Sequence, residues 1–188
     1  NFMDGIDGMA VSGAVFVSGA ITLVLLLTNG DSEFFSVFVL FLASISTFLF
    51  FNWPPASIFM GDSGSAFLGY IFGALILFTV KSGDISIWTW LIVFGYFFAD
   101  TTVTLLMRTI LVKKWYLPHR SHAYQNFARI SGSHLKVTVA VVLYNVVWIL
   151  PLTIWSVMKP EMALFAVVLA IAPSLVFAFK YGPLLSSS

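Results

Sequence analysis

Charged residues are scarce: Asp, Glu, Lys and Arg together make up 9% of the 188 residues, against about 25% in an ordinary soluble domain. So few charges cannot cover a surface that faces water all round, which excludes a water-soluble globule. Cysteine is absent, which removes a disulfide framework and any Cys-based metal site without fixing the redox compartment. No basic segment and no small-residue cleavage site precedes the first apolar run, so no signal peptide is visible. No internal repeat is visible, and the short Ser186, Ser187, Ser188 tail is the one low-complexity stretch.

What is present is apolar: 60% of the residues are hydrophobic, gathered into runs long enough to cross a hydrocarbon core of about 30 Å. Six spans can be drawn, over residues 10–28, 34–51, 63–80, 86–108, 137–158 and 162–180. The expected fold is all-α, a polytopic transmembrane helical bundle forming a single membrane domain over residues 1–188. Gly69 and Gly73 have the small-xxx-small spacing that lets helices approach closely, and Pro151 and Pro173 are expected to kink their spans.

Basic residues orient the bundle. Arg108, Lys113, Lys114, Arg120, Arg129 and Lys136 are six of the nine Lys and Arg, and all lie between the fourth and fifth spans. Positive charge marks the cytoplasmic side. Parity then brings residues 52–62 and 1–8 to that same face, together with Lys180. Only Lys81 and Lys159 fall outside, beside three turns too short to build a site.

Four polar features stand at or near the inner face. Asn1, Asp4 and Asp7 are spaced three apart among Gly5 and Gly8, which suits close approach of backbone to a ligand or, equally, a polar cap on the first span. Gly61, Asp62 and Ser63 open the third span; one acid among glycines at a helix N-terminus suits a metal-bridged phosphate, and Asp62 could instead serve as an N-cap. His119, Arg120 and His122 follow a basic stretch, where Arg120 offers a planar fork to phosphate oxygens. A topogenic loop at anionic headgroups would explain Lys113 and Lys114 but not the paired histidines, and a zinc site on His119 and His122 has no supporting pattern. Asp100, about 12 Å inside the fourth span at the helical rise, is either functional or a structural partner for another span or for Arg108. His134 reads as an interfacial anchor with no chemistry. Together these groups suit metal-assisted phosphoryl transfer between a water-soluble donor and a lipid acceptor.

In order and separation, Asn1 to Ala10, Phe59 to Ser65 and His119 to His122 resemble the polyprenyl-phosphate N-acetylhexosamine-1-phosphate transferases, relatives of phospho-N-acetylmuramoyl-pentapeptide transferase. Asp100-Thr101-Thr102 and the segment His119 to Gln125 look most like the branch that starts O-antigen or capsule synthesis. The resemblance implies a multi-pass protein of the bacterial inner membrane with its active site on the cytoplasmic face. Its reaction would be transfer of sugar 1-phosphate from a UDP-N-acetylhexosamine to undecaprenyl phosphate, releasing UMP, with Mg²⁺ or in its place Mn²⁺. It implies Asp62 as the leading catalytic and metal residue, with Asp4 and Asp7 shaping the nucleotide and metal site and Asp7 as a second ligand. Asn1, Gly61, Ser63, Asp100, His119, Arg120 and His122 would bind substrate. The family carries a further aspartate pair upstream, so the 188 residues are expected to be the C-terminal part of a longer enzyme and inactive alone. The partners expected are the two substrates and the lipid bilayer, without nucleic acid, and a homodimer is compatible. The rivals are a secondary transporter with an ion site at Asp100 and a CDP-alcohol phosphatidyltransferase.

Overall fold

The computed structural model describes residues 5–28, 30–111 and 122–182. Within them the chain is helical and no strand occurs. α1 (Met9–Thr28) and α2 (Glu33–Asn52) form an antiparallel hairpin, followed by α3 (Gly61–Ser82), α4 (Ile87–Val93), α5 (Gly95–Leu111) and the short α6 (Ala123–Ser131). α7 (His134–Tyr144) runs through a π-helical turn, Asn145–Ile149, into α8 (Leu150–Met158), and α9 (Ala163–Tyr181) closes the bundle.

α1 is the central helix. Its small and β-branched residues bury surface on several sides, from Val11 and Ala14 to Ile21 and Leu25, and it packs on α2, α7 and α8. α2 and α3 do the opposite and leave bulky apolar side chains outside, with Phe50 81% and Tyr70 73% exposed. Such faces are stable only against lipid, where no hydrophobic penalty attaches to them. Five helices or helix runs are long and apolar enough to span, and six if α4 and α5 count as one. The chain is a multi-spanning membrane protein.

The fourth expected span is not straight. α4 and α5 meet at 72°, where Phe94 leaves helical geometry at φ −90°, ψ 4°. The bend is held by packing: Phe94 stacks on Trp90 and meets Phe72 and Phe97 edge-on. Trp90 Nε1 also donates to Thr79 Oγ1 of α3 at 3.0 Å. Hydropathy runs unbroken through Phe94, which is why the sequence reads as one span there.

Each of the two prolines has a local remedy, and α9 runs on through Pro173 as one helix. Pro151 has no N–H to continue the helical ladder, and the turn before it widens to a π-helix in which Leu150 N donates to Asn145 O. Pro173 sits inside α9 and leaves the carbonyl of Leu169 without its usual donor. Trp148 Nε1 supplies one from α8's side of the bundle at 3.1 Å. At this depth no water would replace it.

Trp148→Phe should therefore lower stability by about 1 kcal/mol, the scale of an interhelical hydrogen bond in a membrane. Because Pro173→Ala restores an N–H for Leu169, the same Trp148→Phe change should cost less on that background. A double-mutant cycle of unfolding in detergent checks both, and equal costs on the two backgrounds would refute the pairing.

Candidate active site

The α1–α2 hairpin returns the chain to the end from which it started, so the segment before α1 meets the segment after α2. Gly8 N donates to Asn52 Oδ1 at 3.1 Å, and Asn52 Nδ2 donates to Ile58 O at 2.8 Å. Asp7 is the hub. Its Oδ2 accepts from Ala56 N at 3.2 Å, its Oδ1 from His134 Nδ1 at 3.0 Å, and its backbone carbonyl from Thr138 Oγ1 at 2.7 Å. His134 and Thr138 are one helical turn apart on α7, so both face the same partner. The chain can turn here because Gly8 has φ 72°. A Cβ on Gly8 would be strained in that conformation and would stand 3.0 Å from Pro54 Cδ.

Partial burial pushes the Asp7 carboxyl upward. The hydrogen bonds from His134 and from the Ala56 amide, with the charge on His134, more than offset this and hold it below the usual 3.8. Both oxygens already have partners, which suits a positioning group better than a metal ligand.

Asp62 differs. Gly61, at φ 68°, turns the chain into α3, and Asp62 lies in the first helical turn with Met60 at the N-cap position. Asp62 is exposed, and among the described residues its carboxylate accepts no hydrogen bond; Ser65 Oγ donates to its backbone carbonyl at 3.2 Å. The capping role open to Asp62 is thus not taken up. Ser63 is also exposed. Among the described residues no three His, Asp or Glu side chains gather closely enough to hold a metal by themselves.

Asp100 and His122 are joined, but inside the protein. Asp100 is 1% exposed on α5, accepting from Ala123 N at 2.9 Å through Oδ1 and pairing with His122 Nδ1 at 2.8 Å through Oδ2. A carboxylate from one helix thus completes the N-terminus of another, where its charge complements the helix dipole. His122 is itself buried, and its backbone N–H donates to Gln125 Oε1 at 3.3 Å. An ion-translocating Asp100 would need an open oxygen, and neither is open. Asn1, Asp4, His119 and Arg120 lie outside the described residues.

The structure adds residues that the sequence reading passed over. His134, read as an anchor, bonds Asp7; Asn52 and Thr138 were not considered at all. One signal for Asn52 was available, an amide ending an otherwise apolar run.

Segments 5–8 and 52–62 thus come together before α1 and α3. Residues 1–80, which include both, match the family model of glycosyl transferase family 4. This part of the chain matches that family. The chain is also similar to the probable undecaprenyl-phosphate N-acetylglucosaminyl 1-phosphate transferase of Bacillus subtilis (strain 168), 33% identical over 150 residues, which are 79% of this chain and 42% of the relative. The phospho-N-acetylmuramoyl-pentapeptide-transferase of Thermotoga neapolitana is 31% identical over 150 residues, 78% of this chain and 46% of that protein. Its Thermotoga maritima namesake is 40% identical over 80 residues, 42% of this chain and 25% of the relative. The chain spans less than half the length of these relatives. No solved structure gives a significant match.

The lowered pKa of Asp7 has a sign that can be tested. Because the folded value lies below the unfolded one, its stabilisation is complete above the ordinary carboxylate range and is lost as pH falls through the folded value. Thermal unfolding should separate wild type from Asp7→Ala at pH 7, and the gap should narrow as pH falls below the usual 3.8 and through the lower folded value. A gap independent of pH would show that the ionised carboxylate is not what holds the turn.

Proposed function

We propose that this chain carries the phosphoryl-transfer end of an enzyme that moves N-acetylhexosamine 1-phosphate from a UDP-sugar to undecaprenyl phosphate. UMP leaves, and the product begins a cell-envelope polysaccharide of the O-antigen or capsule type. The family 4 match over residues 1–80 and the similarity to the two transferases support the reaction class. The observation that carries the site is the uncommitted carboxylate of Asp62, in the first turn of α3 and one short loop away from the Asp7 hub.

In this reading an oxygen of the lipid phosphate forms a new bond to the phosphorus that bears the sugar. The bond from that phosphorus to the bridging oxygen breaks, and UMP departs with the oxygen and its electron pair. A phosphate monoester has a second pKa of about 6 and is mostly dianionic near neutrality, so no strong base is required. What the reaction needs is alignment and relief of charge repulsion.

Mg²⁺ suits Asp62: hard cations take carboxylate oxygen, and magnesium uses one or two carboxylates with phosphate and water completing its shell. Asp62 would hold it, with Mn²⁺ able to replace it, and the ion would neutralise phosphate charge. Asp7 shapes the site by fixing the 52–62 loop, and the N-terminal turn of α3 favours an anion beside Asp62. Gly61 and Ser63 leave that turn open to phosphate. Asp100 and His122 act from behind, by seating α6. The basic segment between α5 and α7 argues for a cytoplasmic site in the inner membrane, where UDP-sugars are found.

Asp62→Asn in the natural full-length protein should reduce release of UMP from UDP-N-acetylhexosamine by about a hundredfold or more, the scale of lost charge stabilisation at a transferring phosphoryl group. Its unfolding temperature should stay near wild type, because Asp62 is exposed and its carboxylate accepts no hydrogen bond among the described residues. Release of UMP by the variant at the wild-type rate would rule out this assignment.

A further inference from the structure

α7 and α9 leave a groove between them on the outside of the bundle. At the end nearer the Asp7 hub it is a hollow of about 240 Å³, walled by Val137 and Val141 of α7, Pro173 and Phe177 of α9, Tyr96 of α5 and Phe127 of α6. A second hollow, of about 470 Å³, adjoins it at Tyr144 and Pro173 and continues past Leu143, Val147 and Trp148. The two hydroxyls at its centre are spent on the protein itself: Ser174 Oγ donates to Tyr144 Oη at 2.9 Å, and Tyr144 Oη donates to Ala170 O at 2.7 Å. The surface left to a ligand is therefore apolar side chain. From Val137 to Trp148 the groove follows the helix for about 16 Å at the helical rise, close to the thickness of one leaflet of a hydrocarbon core of about 30 Å.

Positive charge stands at the hub end of both walls. Lys136 is exposed on α7, one turn before Ala140, which also lines the first hollow. Lys180 is exposed on α9, one turn beyond Phe177, and its Nζ lies 5.3 Å from the centre of the Tyr181 ring. That ring packs on the groove walls Phe127 and Phe177, with centroids 5.3 and 4.9 Å away, so the ammonium is held beside the mouth. We infer that the groove seats one acyl chain of an anionic phospholipid whose phosphate meets Lys136 and Lys180; the inference stands apart from the transferase reading. Length chooses the chain: an ordinary acyl chain ends about where its leaflet does, as the groove does near Trp148, whereas an undecaprenyl chain is several times longer. Charge chooses the headgroup, because lysines at a membrane surface attract anionic lipid and a zwitterionic headgroup brings a cation of its own. The bound chain touches Phe127 and Val137, on the two sides of the α6–α7 corner, and so becomes part of what holds that corner.

Native mass spectrometry of the natural full-length protein, in micelles carrying equal amounts of phosphatidylglycerol and phosphatidylcholine, tests the site. Wild type should retain phosphatidylglycerol over phosphatidylcholine by about tenfold. Joint Lys136→Ala and Lys180→Ala should bring that ratio close to one, and Ala140→Phe, which fills the groove, should remove the retained phosphatidylglycerol. All three positions are exposed, so unfolding temperatures in lipid-free detergent should match wild type; if Ala140→Phe does not fold, the lysine variant decides alone. Equal retention of the two lipids by wild type, or a preference that survives loss of both lysines, would overturn the inference. So would displacement of phosphatidylglycerol by an equal amount of undecaprenyl phosphate, which would give the groove to a polyprenyl chain.

Discussion

Asp7 occupies a junction where three segments far apart in sequence must agree. Its carboxylate receives Ala56 from the loop before α3 and His134 from the start of α7, and its carbonyl receives Thr138 one turn further on. These bonds add to the one from Gly8 N to Asn52 Oδ1 and to the burial of Ile6 in fixing the turn before α1. Without them the 52–62 loop would lose its tie to α7. Asp7 thereby ties the 52–62 loop and the start of α7 to the turn before α1.

Charge stabilisation in such a place depends on competition. Burial opposes ionisation of Asp7, and hydrogen bonds from a backbone amide and an imidazole favour it. The bonds win, at the expense of further ligation by the same oxygens. Asp62 has the opposite balance: it is exposed, lies in the first turn of α3 and has no side-chain partner among the described residues. Two aspartates that look alike in a glycine-rich sequence are therefore separated by environment into a positioning group and an available ligand.

How much of this was legible beforehand depends on the range of the interaction. The spans could be read because burial in lipid imposes a length and composition on each helix, and the meeting of residues 5–8 with 52–62 followed from counting crossings. The bend at Phe94 could not be read, since it comes from aromatic packing among Trp90, Phe72 and Phe97 and leaves hydropathy unbroken. His134 was misread for a similar reason. An imidazole at the start of an apolar run has the composition of an interfacial anchor, and only the fold puts Asp7, 127 residues earlier, beside it. Asp100 was recognised as costly, but its partner, the amide of Ala123, carries no signature in sequence.

Two Asp–His pairs now take on a common meaning. Asp100 on α5 holds His122 and the first amide of α6; Asp7 ahead of α1 holds His134 at the first residue of α7. The α6–α7 corner is thus pinned at both ends by carboxylates from different parts of the bundle, one buried and one at the surface. A short helix such as α6 has little stability of its own, so its placement comes from these anchors and from its packing on α9. Anchoring of this kind fixes the corner through side chains that lie far apart in the sequence, and each histidine acts there by holding a helix start to a carboxylate.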